Sequence, residues 1–451
     1  MEQLKQSFYL VNTGILNETS SYPERLLYAT RTGAVLLIRD NDYQAFRNNH
    51  FHLLPQPVYD QLVDIEALVP SSQNELDFLT SENKDAIAKN KTLDIVIQPG
   101  ASCQLGCHYC GQEHTSKYMD KALQEKVLNR VCYKLDEMQP EKLEVTWYGA
   151  EPLMAVNHIR DLSDNLISIS KAYGIDYVAQ MVTNGVSLKP KIFLDMVTKC
   201  KVMHYQITLD GTAEYHDKNR YTKKGQLPTF SIIFKNILDI VNDPGFKDLG
   251  ATIMIRCNVD LNNVDGLEEF IDYLAGHELQ DKIGFYVIPI HNWGDNKAEE
   301  LTGVEKNGFA AQEIDWMIKL MDLGFDVDIL PTRTKIVCSA VKQHSEVYDA
   351  YGTVSSCWEV PYTPMFKNTD FEIGNVNIPF KENVTTTPMR DWNDDIKKGE
   401  TWCMKCNLLP VCGGSCPIHW ESGTPACPSF KFNIEDRVVL EYVKRKQLVL
   451  S

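Results

Sequence analysis

The sequence predicts an α/β protein built around a partial (β/α)6 barrel at residues 91–325. A small α+β unit at 1–90 precedes it, and a cysteine-rich unit at 326–451 follows. Three observations predict the barrel. First, six apolar runs (LDIVIQPG, LEVTWYG, YVAQMVTNG, VMHYQITLDG, ATIMIRCNVD and KIGFYVIPI) alternate with helical stretches such as LQEKVLNRVCYKLDEM and VDGLEEFIDYLAG. Parallel neighbours need a crossover, so serial strand–helix units imply a parallel sheet, either an incomplete barrel or a doubly wound sheet. Second, polar residues alternate along single strands: His204, Gln206, Thr208 and Asp210 on one, Arg256 and Asn258 on another. Residues i and i+2 share a face, and a polar row is costly against packed helices but suits a ligand-filled lumen. Third, the turn and cysteine motifs fall at C-terminal strand ends, where TIM-like barrels carry their active sites.

The first unit reads as strands FYLVN and RLLYAT–RTGAVLLI around a Thr-Gly turn. DNDYQAFRNN follows as a helix with Asp40 or Asn41 as its cap. LPQPVYDQLVDIEALV has an apolar spacing near 3.6. SSQNELDFLTSENKDAIAKNK is a charged helical linker with a capping signal from Ser72 to Glu75. Beyond about residue 325 the periodicity breaks down. Cys, Gly and Pro dominate until a closing helix near NIEDRVVLEYVKRKQLV. A region with so few long apolar segments needs metal to stay folded.

The 451 residues are 43% apolar, enough for a large core and two or three domains. A net charge of −16 repels phosphate backbones and anionic lipid, so neither nucleic acid nor a membrane surface is expected as partner. No run reaches the ~18 apolar residues of a membrane span. The start MEQLKQSFYLVNTG is not a secretory signal, so the expected location is cytoplasmic. Thiols stay reduced there, so the thirteen cysteines pack as apolar residues or bind metal. Cys132, Cys200 and Cys257 are isolated and are expected in the core. The other ten fall at 103–110 and 338–427.

Cys103-Gln-Leu-Gly-Cys107-His-Tyr-Cys110 follows the first barrel strand. Three thiolates with one open metal position make a site for chemistry, whereas a closed zinc knuckle wants a fourth ligand. His108 is the neighbouring nitrogen, and its place between two cysteines predicts that it points away. Gly149-Ala150-Glu151-Pro152 ends the second strand and Thr183-Asn184-Gly185 the third. Ile207-Thr208-Leu209-Asp210-Gly211 ends the fourth, followed by His216-Asp217 and Arg220; Arg256, Asn258 and Asn263 come last. This series resembles the radical S-adenosylmethionine (SAM) superfamily: its C-x3-C-x2-C triad with an aromatic (Tyr109), its GGEP (here with Ala150), its TNG, and the S-x-D-G…H-D-x-x-R and R-x-N…N signatures of peptide- and protein-modifying members. The resemblance implies a [4Fe-4S] cluster on Cys103, Cys107 and Cys110, with SAM on the fourth iron and cleaved to a 5′-deoxyadenosyl radical. It implies a cofactor site at Tyr109, Gly149, Ala150, Glu151, Pro152, Thr183, Asn184, Thr208, Arg220, Arg256 and Asn258. Arg220 fits a carboxylate fork or, alternatively, a surface ion pair.

The tail reads Cys338-x13-Gly352-x4-Cys357, then Cys403-x2-Cys406-x5-Cys412-x3-Cys416-x10-Cys427. This spacing, with Phe371-Glu-Ile-Gly374-Asn375-Val376, resembles the seven-cysteine SPASM extension. By that resemblance Cys403, Cys406, Cys412 and Cys427 hold one auxiliary [4Fe-4S] cluster, and Cys338, Cys357 and Cys416 another, giving three clusters in all. C-x2-C pairs also serve zinc, so two zinc sites are the alternative. Leu330–Val337 offers no further cysteine, which leaves the second of these clusters an open iron, a non-cysteine ligand or a bound substrate.

The first unit looks like the winged-helix leader-recognition module of peptide maturases, which takes a peptide as an added strand; a structural cap on the barrel is the alternative. The leading expectation is modification of a ribosomally made precursor peptide, with electrons from a flavodoxin- or ferredoxin-type donor. Anaerobic sulfatase maturases are the second expectation, although they place an Asp where this chain has Trp358, then Glu359. A metal-stapled binding protein without catalysis is the third. Asp210 and Glu359 are the candidate general bases.

Overall fold

A computed structural model describes residues 3–17, 19–293, 297–379 and 388–450. The chain begins with β1 (Leu4–Gln6), β2 (Leu10–Asn12), β3 (Glu24–Ala29), β4 (Ala34–Arg39), α1 (Asp40–Arg47), α2 (Gln56–Asp64), β5 (Leu68–Pro70) and α3 (Glu75–Ala88). β2, β3 and β4 form an antiparallel sheet in that order, while β1 pairs with β5. The β3–β4 turn needs Gly33, whose φ is +76°, at the point where its N–H returns to the Ala29 carbonyl. Leu27, Ile38, Phe46 and Leu62 bury the apolar faces of sheet and helices together.

Two capping expectations are corrected. β4 runs straight into α1, so Arg39 occupies the N-cap position and Asp40 lies within the first turn. There Asp40 accepts from Arg25 Nε at 2.5 Å, which holds its carboxyl below the usual range. For α3 the cap is Asn74, accepting from Asp77 N, and Glu75 is instead buried with Ser7 Oγ 2.5 Å away. Nor is α3 a free linker: Asn83 bonds Asn393 at 3.0 Å, and Leu79 packs with Trp392 and Ile396 of the C-terminal unit.

The six predicted strands are β6 (Thr92–Ile97), β7 (Lys142–Trp147), β8 (Asp176–Thr183), β9 (Val202–Thr208), β10 (Thr252–Val259) and β11 (Gly284–Pro289). All are parallel and stand in chain order, β11-β10-β9-β8-β7-β6. A doubly wound sheet would reverse its order partway; this one does not. Between the strands run α4 (Lys121–Met138), α5 (Val156–Tyr173), α6 (Pro190–Thr198), α7 (Ala213–Asn219), α8 (Phe230–Val241) and α9 (Leu267–Gly276). Ile253, Ile255 and Cys257 on β10 and Tyr205 and Ile207 on β9 are fully buried in one core with Val131, Ile159, Ile237 and Phe270 of the helices. Each such aliphatic side chain contributes roughly 1.5–3 kcal/mol. The intervening residues face the other way and bond one another across strands. Gln206 accepts from Tyr286 Oη at 2.8 Å, and Gln180 donates to Thr146 Oγ1 at 2.8 Å. The alternation read from the sequence is therefore the division between helix-packed and cavity-facing sides. Cys200 and Cys257 lie in the core as expected; Cys132 is a correction, being half-buried on α4.

The cysteine-rich unit is continuous with this sheet. β12 (Glu346–Tyr348) pairs in parallel with β6, and β13 (Thr353–Ser355) and β14 (Glu372–Asn375) extend the edge antiparallel. Glu346 fastens β12 to α4. Its carboxylate accepts from Arg130 Nε and Nη2 at 2.8 and 2.6 Å, with Lys134 Nζ at 3.1 Å. The closing helix Phe430–Leu450 kinks at Asn433 and packs Ile434 and Val438 against Val11, Leu26 and Tyr28. N- and C-terminal units thus share a core. No helix among the described residues is long and apolar enough to cross a membrane.

Candidate functional site

The loop after β6 carries Cys103, Cys107 and Cys110 and is clamped to residues 221–223: Gly106 N donates to the Tyr221 carbonyl, and Lys223 N to the Gln104 carbonyl. All three thiols line one cavity at the C-terminal ends of the strands. Burial pushes Cys103 up to about 11 and Cys107 to about 12, and raises Cys110. Such thiols carry their protons until a metal displaces them. His108 turns away from the cavity, its Nε2 2.9 Å from Asp260 Oδ2. Among the described residues no three His, Cys, Asp or Glu side chains gather on one point to hold a single ion.

The cavity wall opposite the cysteines comes from the strand ends: Thr183 and Asn184 from β8, Gln206 and Thr208 from β9, Arg256 and Asn258 from β10. Asn184 Nδ2 lies 3.8 Å from Cys103 Sγ. Tyr109 joins the loop to this wall. Its hydroxyl donates to Asp210 Oδ2 at 2.5 Å and accepts from Arg220 Nη1 at 2.6 Å and Asn258 Nδ2 at 3.0 Å. Arg220 is 6% exposed, which rules out the surface ion pair; it lines the cavity, and its Nε has no hydrogen-bond partner.

Asp210 is fully buried, off the cavity wall, and also accepts from Asn258 N at 3.0 Å. Burial raises its pKa, and Arg220, the Tyr109 hydroxyl and Asn258 N oppose that. The carboxylate is engaged with Tyr109 and Asn258 behind the cavity wall. The rest of its signature has local work. His216 Nδ1 takes Asp210 N at 3.2 Å, Asp217 caps α8 through Thr229 N and Phe230 N, and Asn263 Nδ2 ties the Asp210 and Asn258 carbonyls together.

Gly149 and Ala150 line the cavity; Glu151 and Pro152 sit behind it. Glu151, 1% exposed, accepts from Thr183 Oγ1 at 2.6 Å, Asn184 N at 2.7 Å and Leu153 N at 3.0 Å. It locks the second strand end to the third. A Cβ on Gly149 would come within 2.1 Å of Gln98, so the turn admits only glycine. Ala150 keeps a left-handed φ of +48°, and its N–H bonds Gln112 Oε1 at 2.8 Å.

Glu359 stands on the wall between this cavity and a second one. Tyr148 Oη donates to it at 2.7 Å. Burial raises its pKa, and Tyr148, Arg256 and His291 pull it back. Tyr148, Gln112, His291 and Trp293 also line the first cavity and were missed from the sequence. Adjacency to Gly149 and Cys110 was the available signal for the first two.

Cys338, Cys357 and Cys416 line the second cavity, with Trp358, Ser339 and Ser415; Thr334, Ile336 and Val337 fill the wall where a further cysteine was sought. Cys403, Cys406, Cys412 and Cys427 line a third, walled by Trp402, Trp420 and Phe430. Each of the two sets implied by the resemblance thus lines a common cavity, and Cys412 stands on the wall of both. Burial raises these thiols too, Cys412 to about 12 and Cys416 to about 11.

No family model matches the chain. A Synechocystis protein of uncharacterized function is 26% identical over 140 residues, 29% of this chain and 34% of that protein, so the chain spans about a third of its length. The serine-type anaerobic sulfatase-maturating enzyme of Bacteroides thetaiotaomicron is 24% identical over 379 residues, 74% of this chain and 84% of that enzyme. Among solved structures, native anSMEcpe with bound AdoMet superposes with a TM-score of 0.56 at 17% identity, covering 77% of this chain and 98% of that one. The same values hold for anSMEcpe with bound AdoMet and the Cp18Cys peptide. The chain therefore shares the fold of anSMEcpe, a fold seen there around bound AdoMet.

Proposed function

We propose that the chain is a radical SAM enzyme that takes a hydrogen atom from a peptide substrate, with two auxiliary clusters in a SPASM-type C-terminal unit. The carrying observation is the single cavity in which three thiols face the polar ends of β8, β9 and β10. The donor set fits an iron–sulfur cluster: Cys103, Cys107 and Cys110 would hold it, with no fourth protein ligand once His108 turns to Asp260. The unpaired Arg220 Nε and the strand-end amide and hydroxyls fit the charged and ribose groups of SAM. When bound, these groups supply the electron that cleaves SAM and the radical that abstracts hydrogen.

The chain's own residues do the rest. Asp210, Tyr109 and Asn258 hold Arg220 in place. Glu151 fixes Thr183 and Asn184. Glu359, oriented by Tyr148, is positioned to accept a proton from the oxidised substrate beside the three-thiol cavity, where an auxiliary cluster would take the electron. The N-terminal sheet offers an edge for a leader peptide: among the described residues β4 pairs with β3 alone.

A second reading, maturation of a sulfatase-like protein, is favoured by the match along 74% of the chain to the Bacteroides enzyme. Trp358 departs from the acid expected after Cys357, yet Glu359, one residue on, reaches the cavity. Anaerobic reconstitution with iron and sulfide counting tests the common core. About twelve irons per chain, together with 5′-deoxyadenosine formed from SAM and reductant, are expected. Zinc without SAM cleavage would leave a binding protein. Mass spectrometry of neighbouring precursor peptides against a sulfatase-derived peptide then separates the two substrates.

A further inference from the structure

A further cavity lies between the C-terminal ends of α3 and α4, the start of β6 and residues 342–345, and shares Lys342 with the lining of the second cysteine cavity. Its volume is about 280 Å³, at the lower end of small-ligand pockets, which begin near ~300 Å³. In a chain of net charge −16 its lining is basic. Lys84, Lys91, Lys342 and Arg390 contribute side chains against one acid, Glu137, whose Oε1 already accepts from Tyr133 Oη at 2.6 Å. Behind the wall, Arg130 and Lys134 share the single carboxylate of Glu346, so the surroundings add positive charge. Lys342 and Lys84 are steadied by Asp94 and Asp394, neither of which lines the cavity.

Two buried donors in the lining have no partner. Ser345 is 4% exposed and its Oγ makes no hydrogen bond; His344 Nδ1 is likewise buried and unpaired. Buried polar groups are ordinarily satisfied, so the Ser345 hydroxyl and, in its Nδ1–H tautomer, the His344 ring call for an acceptor. One that answers a hydroxyl, an imidazole N–H, ammonium groups and a guanidinium together is a compact oxyanion with several lone pairs.

We propose that this cavity binds a phosphate group, as the free ion or as a small phosphoester. The assignment is independent of SAM chemistry. Isothermal titration of the anaerobically reconstituted full chain, in chloride buffer, with inorganic phosphate, glycerol 3-phosphate and citrate tests it. Saturable binding of phosphate or its ester at one site per chain is expected, the tighter of the two naming the source. Lys91→Glu, at an exposed position, and His344→Ala should each weaken it about tenfold or more, with iron content and circular dichroism unchanged. Arg390→Lys, which loses the planar fork but keeps the charge, should weaken it as well. Absence of saturable binding, binding untouched by Lys91→Glu and His344→Ala, or citrate bound in place of phosphate would overturn the assignment.

Discussion

The two cysteine cavities of the C-terminal unit are neighbours in sequence and opposites in design. The four-thiol cavity is about 20 Å³ and shut by Trp402, Trp420 and Phe430. The three-thiol cavity is about 800 Å³, carries hydroxyls and Glu359 on its wall, and leaves Cys338 exposed. Cys416 lines the open cavity, and Cys412, four residues earlier, stands on the wall of both. A closed apolar cage suits a fully ligated centre that stabilises the fold, while an open polar one beside the radical cavity suits electron and proton traffic. The difference follows from local sequence. Trp402 and Trp420 wall the first alone, Pro428 and Phe430 are shared by both, and Leu330–Val337 brings no further thiol to the second.

The sharpest tests ask which cavities chemistry depends on. Cys107→Ala removes a ligand of the proposed reactive cluster and should abolish 5′-deoxyadenosine formation, a drop of about 10³-fold or more, as for other indispensable catalytic groups. Glu359→Gln should leave deoxyadenosine formation intact yet cut product by about 10²–10³-fold, the scale of general-base loss. Because burial raises the pKa of Glu359 and the base acts deprotonated, product formation should fall with acid along a limb above the ordinary carboxylate range. Glu359→Gln should flatten that limb; a limb unchanged in the variant would assign the base elsewhere. Between the two auxiliary cavities the contrast becomes one of stability. Cys412→Ala opens the closed cage and should cost roughly 4–5 kcal/mol, the scale of a lost structural metal, read as a fall in Tm. Cys416→Ala should lose a similar share of iron with a smaller fall in Tm. Equal falls would erase the distinction between the cavities.

Much of this was legible in the sequence because spacing and periodicity are local. The six strands and the polar alternation on β9 and β10 emerged where the pattern placed them, and the three cysteines after the first barrel strand line one cavity. What escaped depends on contacts far apart in the chain. Glu346 meets Arg130 across 216 residues, so nothing in the tail announced that β12 would join β6. Asp210 and Glu151 stand inside motifs at the strand ends, and only the structure shows that both are buried behind the cavity lining. The Ser72–Glu75 pattern failed for a similar reason: Glu75 is held by Ser7, a partner 68 residues away, so the helix took Asn74 as its cap.

The smallest expected effect concerns the cation each cavity keeps. At the four-thiol site Lys431 Nζ lies 3.3 Å from Cys427 Sγ and 5.6 Å from the Trp402 ring centroid. Burial alone would lower the pKa of Lys431, but the Cys427 bond and the nearby Cys427, Cys406 and Cys403 thiols together raise it. At the three-thiol site the comparable cation, Lys342, is already committed to Asp94. Lys431→Met should therefore weaken the closed cavity alone. Lys431 is half-buried at the surface, so screening still limits the loss to about 0.5–1 kcal/mol, and less again in high salt. Deoxyadenosine formation and iron content should be unchanged. A Tm lowered at low salt and restored at high salt would tie the cation to the four-thiol cage, whereas a salt-independent loss would trace to lost packing of its stem on Trp402.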